Sequence, residues 1–254
     1  MLGMIELIRL TRYYGSLAAV NEVSLSVSPG EIFACLGPNG AGKTTTIRMM
    51  MGLLLPTSGT VRLGGYDLLA QPLAAKRLCG FVPDRPHVYE KLTGLEFLHF
   101  VAGLYELPSA AASARATQLL EMFDLGDWAD ELIENYSHGM KQRLVMAGAL
   151  IHEPRILVLD EPMVGLDPRG ARLLKRTLRA LARRGVTVFM STHSLEVAEE
   201  MADRIGIIDQ GRLIALGTLE ELRQRAGSSA GADLEAIFLR LTGAEDVLEI
   251  LPAL

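Results

Sequence analysis

The sequence predicts an α/β fold with a mainly parallel sheet, antiparallel strands near the N-terminus and a helical insertion. Short apolar, β-branched runs recur with helical patterns between them, the alternation expected of strands joined by helical crossovers. Between residues 86 and 150 the strand signals vanish and Ala/Leu/Glu-rich amphipathic segments replace them, which marks an insertion in the core. A Gly-rich run at residues 37–44 stands between a strand-like and a helix-compatible stretch, the setting of a phosphate-binding loop.

In chain order, the strand runs begin at residues 5–10, 23–27 and 32–36, and residues 43–51 suit a helix directly after the Gly-rich turn. Residues 61–63 and 80–82 continue the strand series, and the insertion carries helical patterns at 95–104, 110–123 and 139–150. A strand at 156–159 follows, then a helix from Arg169 onward and strands at 186–191 and 205–209. Helices at 219–226 and 234–241 close the chain, separated by the flexible run Gly-Ser-Ser-Ala-Gly-Ala. The expected division is a nucleotide-binding domain over 1–217, with its α/β core at 1–85 and 151–217 and a helical subdomain at 86–150. Residues 218–254 form a small helical appendage. No internal repeat is visible, so one unit is expected with no second copy fused to it.

A chain of 254 residues can bury a sizeable core. Its apolar runs are broken by charges, Gly or Pro well before the about 20 residues needed to span a bilayer, so no transmembrane helix is expected. Glu6 and Arg9 interrupt the first apolar stretch, and no small-residue cleavage site follows. A secretory signal is therefore not expected, and the cytoplasm is. Cys35 and Cys79 lie in apolar runs, where free thiols behave as small core groups. Lys and Arg number 25 against 30 Asp and Glu, a net charge of −5 with no basic block, which argues against a nucleic-acid partner. The mean hydropathy is positive, in keeping with a large core or a surface for a partner.

Gly37-Pro38-Asn39-Gly40-Ala41-Gly42-Lys43-Thr44 fills the phosphate-loop pattern. The backbone from Asn39 through Gly40, Ala41 and Gly42 can wrap the phosphates closely, and the helix N-terminus adds partial positive charge. Lys43 then reaches the β- and γ-phosphates, and Thr44 ligates Mg²⁺. Residues 156–161, Ile-Leu-Val-Leu-Asp-Glu, read as a buried strand ending in two carboxylates. Unpaired buried carboxylates are costly, and Mg²⁺ supplies the reason for them. Asp160 would hold the ion directly or through water, while Glu161 would orient and deprotonate an attacking water. ATP and Mg²⁺ are the expected cofactors; no Asn/Thr-Lys-x-Asp motif is present to read guanine.

Tyr136-Ser137-His138-Gly139-Met140-Lys141-Gln142-Arg143, shortly before the Asp160 strand, discriminates among nucleotide hydrolases. With it, nearly the whole chain resembles the ATP-binding subunits of ABC transporters, in a signature variant of export-type members. Ser137 can cap a helix that Gly139 leaves uncluttered. The resemblance implies ATP hydrolysis that drives a separate transmembrane permease subunit, with this chain peripheral on the inner face of the cell membrane. It also implies a homodimer or a paired ATPase subunit that sandwiches two ATP. Ser137, His138, Gly139 and Met140 would face the nucleotide of the opposite subunit. The family's usual second glycine is His138 here and its usual glutamine is Met140.

Further roles follow from the resemblance alone. Tyr14 would stack on the adenine, with Tyr13 or a core role for Tyr14 as alternatives. Thr45 would bond the α- or β-phosphate, and Thr46 starts the helix core. Asp167, in Gly165-Leu166-Asp167, would shape the opposite site, cap the next helix, or do both. His193 would contact the γ-phosphate and Glu161. At the end of the 80–83 run the family usually carries a glutamine near Mg²⁺ or the attacking water, and Asp84 stands there instead. An aspartate accepts without donating, so it can ligate a metal-bound water but cannot donate to the nucleophile.

The stretch from Asp84 to the helix around Phe97, Phe100 and Tyr105 resembles the groove that receives a short helix of the membrane subunit. Leu92, Phe97 and Phe100 are individually as well suited to the core. His87, His99 and His152 lack metal-ligand spacing and read as surface or satisfied polar residues. Residues 234–243 look like the closing helix of export-type subunits. A soluble relative in translation or DNA maintenance would carry duplicated halves or a coiled-coil insertion, and neither is present. A nucleotide-sensing switch without turnover would not need both Glu161 and His193.

Overall fold

The structure is a computed structural model that describes residues 3–227 and 233–242. Residues 228–232 of the expected flexible run, and residues 243–254 of the appendage, lie outside the described residues.

The N-terminal strands are β1 (Ile5–Tyr14) and β2 (Leu17–Val27). Both are longer than the apolar runs suggested, because their outer ends carry exposed residues. They pair antiparallel, with bulges between Leu7 and Tyr13. β3 (Ile32–Leu36) is buried at every residue, as a central parallel strand should be. α1 (Lys43–Met50) follows, then β4 (Ser58–Leu63), the two-residue β5 (Tyr66–Asp67), α2 (Pro72–Arg77) and β6 (Cys79–Val82).

The next helices are α3 (Gly94–Leu104), α4 (Ser109–Met122) and α5 (His138–Leu150). Thr93 and Glu96 form a reciprocal capping box that fixes the start of α3. On α4, Ala112, Ala116, Leu119 and Leu120 recur at helical spacing and are buried. α5 is covered on all sides over Leu144–Leu150, which makes it the central helix of this unit.

β7 (Ile156–Asp160), α6 (Pro168–Arg183), β8 (Thr187–Thr192), α7 (Leu195–Met201), β9 (Arg204–Asp209) and β10 (Arg212–Gly217) complete the core. α8 (Leu219–Arg225) and α9 (Leu234–Thr242) pack on each other and on β10.

Two sheets result, ordered β2-β1-β4-β5 and β10-β9-β3-β8-β7-β6. β9, β3, β8, β7 and β6 run parallel, and only β10 is antiparallel. Because β3, β8 and β7 are neighbours, the loops leaving their C-terminal ends emerge side by side. Ligands of open α/β sheets bind at such ends.

Candidate nucleotide site

β3 delivers the Gly-rich loop to the mouth of the sheet. Gly42 is the N-cap of α1, has φ +104° and offers no side-chain cap. A Cβ there would lie 2.4 Å from the carbonyl oxygen of Ala19, so only glycine fits. The first-turn N–H groups of α1 are therefore left to an external acceptor, which is the chemistry a phosphate supplies. Asn39 and Gly40 are exposed, Ala41 is buried beneath them, and Thr44 and Thr45 are half-buried on α1. Thr46 is fully buried and bonds back to Gly42, so it belongs to the helix core.

Lys43 is 6% exposed and folds over this loop, with Nζ donating to the carbonyls of Gly37 at 2.7 Å and Pro38 at 3.1 Å. The same ammonium lies 3.3 Å from Glu161 Oε1. That oxygen is buried and takes no aligned hydrogen bond, so the contact is Coulombic attraction without a shared proton. The second oxygen, Oε2, meets His193 Nδ1 at 2.9 Å and the His193 N–H at 3.4 Å. Glu161 thus bridges the cation from β3–α1 and the imidazole that follows β8. Its own backbone is held at φ +48°, an unusual value for a residue with a side chain.

Asp160, at the end of β7, is 2% exposed. Ser191 Oγ donates to Asp160 Oδ1 at 2.5 Å and accepts from the Glu161 N–H at 2.9 Å. Burial pushes the Asp160 carboxyl above the ordinary carboxylate range. Hydrogen bonds from Ser191 and Thr44 oppose that push, and the nearby Asp84 and Glu161 charges add to it. A cation is what such a carboxyl lacks.

Asp84 and Asp160 line one cleft of about 490 Å³, together with Phe97, Val101 and Tyr105 of the helical unit. Phe97 is buried, whereas Phe100 is 42% exposed and meets Tyr89 edge-on. The donor set of one hydroxyl and two carboxylates suits Mg²⁺, which binds through one or two carboxylates and substrate phosphates. Among the described residues no group of three or more His, Cys, Asp or Glu forms an all-protein metal cage. Phosphate oxygens and waters are the ligands that usually accompany one or two carboxylates on Mg²⁺.

The remaining expected residues stand apart from this cluster. Tyr14 is 46% exposed at the end of β1, which removes the core alternative, and the Arg12 guanidinium lies 4.9 Å from its ring centroid. Tyr13 is similarly exposed. Ser137 caps α5 by accepting from the Met140 N–H at 3.3 Å. His138 is exposed, Gly139 is half-buried, and Met140 leans into the core. Asp167 caps α6, accepting from the Gly170 N–H at 2.8 Å. Ser191 was not anticipated as a site residue; its place opposite Asp160 is set by the β7–β8 register.

The sequence profile of the ABC transporter family matches residues 20–164. The chain belongs to that family. Among ABC relatives, the linearmycin resistance ATP-binding protein LnrL of Bacillus subtilis (strain 168) is 41% identical over 224 residues, covering 88% of this chain and 72% of that protein. A solved ATP-binding subunit of an ABC transporter superposes with a TM-score of 0.88 at 34% identity, covering 94% of this chain and 99% of the other. The dimeric post-hydrolysis state of the ATP-binding cassette MJ0796, bound to ADP and Pi, gives a TM-score of 0.78 at 26% identity, covering 85% and 99%. This chain is accordingly an ABC ATP-binding subunit, which hydrolyses ATP and couples the hydrolysis to transport through a membrane partner. No helix among the described residues is long and apolar enough to cross a membrane.

Proposed function

We propose that two such subunits, identical or paired, close around two ATP·Mg²⁺, and that Glu161 is the group that orients and deprotonates the attacking water. The observation that carries this reading is the bridge made by Glu161 between Lys43, at 3.3 Å, and His193, at 2.9 Å. His193 holds one carboxylate oxygen, which leaves Oε1 as the acceptor for a water proton once Lys43 turns to the β- and γ-phosphates. The first turn of α1, with Asn39, Gly40, Ala41, Gly42 and Thr45, cradles the phosphates, and Tyr14 stacks on the adenine. Ser137, His138, Gly139 and Met140 face the nucleotide of the opposite subunit, and Asp167 shapes that site while it caps α6.

Thr44 and Asp160 would hold Mg²⁺, with Asp84 reaching it through a water. When bound, the ion neutralises charge that develops on the transferred phosphoryl group. Ser191 aims Asp160 by donating to it and opposes the upward push of burial on that carboxyl.

In this reading residues 1–217 form the ATPase domain, 86–150 its helical subdomain, and 218–254 an appendage. The cleft beside Asp84 and Phe97 receives a short helix of the permease, so closure of the ATP sites moves the membrane partner. The subunit sits at the cytoplasmic face, and transport runs outward, as the resistance role in the name of the Bacillus relative suggests. No nucleic-acid partner is proposed.

The test is steady-state ATP hydrolysis against protein concentration for wild type and Glu161→Gln, with particle size measured in ATP·Mg²⁺. Cooperative turnover that the variant loses, together with an ATP-bound dimer that the variant accumulates, is the expected result. Equal turnover in the two proteins would remove Glu161 from the chemistry.

A further inference from the structure

Helix α5 meets the turn that carries Glu161 with two side chains one helical turn apart, His138 and Gln142. A Cβ built on Gly165 would stand 2.8 Å from both Cδ2 and Nε2 of His138. The edge of the imidazole therefore rests over Gly165, and a side chain there would push the exposed ring aside. Gly165 also has φ +77°, in the region that favours glycine.

Gln142 is 3% exposed, and neither its Oε1 nor its Nε2 has a hydrogen-bond partner among the described residues. With Leu166 and Gly170 it lines a cavity of about 10 Å³, at the lower limit for one water molecule. A buried amide without partners is costly, and its presence calls for a reason beyond packing.

The turn itself is thinly held. The Val164 N–H donates to the Glu161 carbonyl at 3.2 Å and the Leu166 N–H to Met163 at 3.4 Å, before the Asp167 cap anchors α6. Between these ends the contact with His138 restrains the middle, and Glu161 begins the turn in its unusual backbone conformation.

We infer that His138 and Gln142 are positioning residues through which the signature end of α5 sets the 161–167 turn, and with it the Glu161 carboxylate. The inference rests on the proposed role of Glu161. His138 supplies the steric stop. Gln142 supplies a buried amide beside Leu166 and Gly170, left free to take a backbone partner from the turn if α5 and the turn move relative to each other as the nucleotide site closes. An element with two discrete arrangements is what carries coupling between sites.

The test uses the full chain and measures kcat and KM for ATP·Mg²⁺ alongside thermal melting. His138→Gly should lower kcat about fivefold or more with KM within about twofold, and His138→Phe, which keeps a flat ring on Gly165, should restore most of the loss. Gly165→Ala should cost about tenfold in kcat beside His138 but about threefold or less beside His138→Gly, a coupling that independent contacts would not show. Gln142→Met should melt higher than wild type yet turn over more slowly.

A raised KM at unchanged kcat in His138→Gly would make that residue a nucleotide contact only. Additive losses in the double variant, or full kcat in Gln142→Met, would equally overturn the inference. Glu161→Gln separates the two levels: if it turns over like wild type, the role of Glu161 fails and the inference fails with it. If Glu161→Gln is inactive and the His138 and Gln142 variants are normal, only the inference fails.

Discussion

Acidification from pH 7.5 to 4 should weaken the joint between β6 and the ends of α3 and α5, because His152 is built to be neutral. Its Nε2 lies 3.1 Å from the Cys79 carbonyl, which can only accept, so Nε2 carries the proton. The ring stacks on Tyr105 with centroids 3.6 Å apart and planes 5° from parallel, and the Tyr105 hydroxyl donates to the same carbonyl at 3.4 Å. Nδ1 is buried with no partner, so a second proton would place a charge where nothing receives it. Burial lowers the His152 pKa from 6.5 to about 4, against the smaller opposing pull of the Cys79 carbonyl.

A histidine with a depressed folded-state pKa contributes its full stability above the unfolded value. The contribution is lost as the pH falls from about 6.5 towards about 4, where the folded ring also protonates. That span of about 2.5 pH units corresponds to about 3.4 kcal/mol at most. The ring keeps some contact with water, which screens the effect to about 1–2 kcal/mol. Urea denaturation across this pH range, for wild type and His152→Phe, isolates the contribution from the carboxylates that titrate alongside it. Wild type should lose about 1–2 kcal/mol more than the variant. Parallel losses, or an imidazole titration near 6.5 by NMR, would refute the reasoning.

Three further outcomes are expected. Gly42→Ala forces a Cβ to 2.4 Å from the Ala19 carbonyl at φ +104°, so it should destabilise the fold by about 2–4 kcal/mol and weaken ATP binding, read by thermal melting and nucleotide titration. Leu119 is fully buried on α4, and Leu119→Ala should cost about 2–5 kcal/mol in chemical denaturation with no change in m-value. Burial pushes both Cys35 and Cys79 thiols up to about 12, so neither should react with a disulfide reagent at pH 8 until the chain is unfolded.

Much of the parallel core could be read from the sequence because fully buried strands such as β3 and β7 appear as unbroken apolar runs. Edge elements were harder. β10 is a short edge strand with one exposed residue, Arg212, and no strict alternation to mark it, although its turn, Gln210 and Gly211 both at positive φ, is the kind that closes two-residue hairpins. α7 begins at a Ser194 cap that a reading for helix starts could have found.

Within the site, Lys43, Asp160 and Glu161 follow from local motifs, but the function of Ser191 depends on which strand lies beside β7, and spacing along the chain does not carry that. His152 lacks any sequence signal beyond that of a surface or satisfied polar residue, whereas the structure leaves its Nδ1 buried without a partner. Gln142 sits inside a motif already recognised, yet only packing reveals that its amide is buried and unpartnered.

The hydroxyl of Ser191 touches two consecutive residues of the neighbouring strand, which makes the site a gauge of sheet alignment. Parallel strands displaced by one residue would turn Ser191 to the opposite face, since side chains alternate with a period of two. Such a chain could be compact and rich in regular structure while Asp160 lost its Ser191 donor and the Glu161 N–H its acceptor. Recovery of ATP hydrolysis after refolding therefore reports that β7 and β8 have joined in step, a quantity to which circular dichroism is blind.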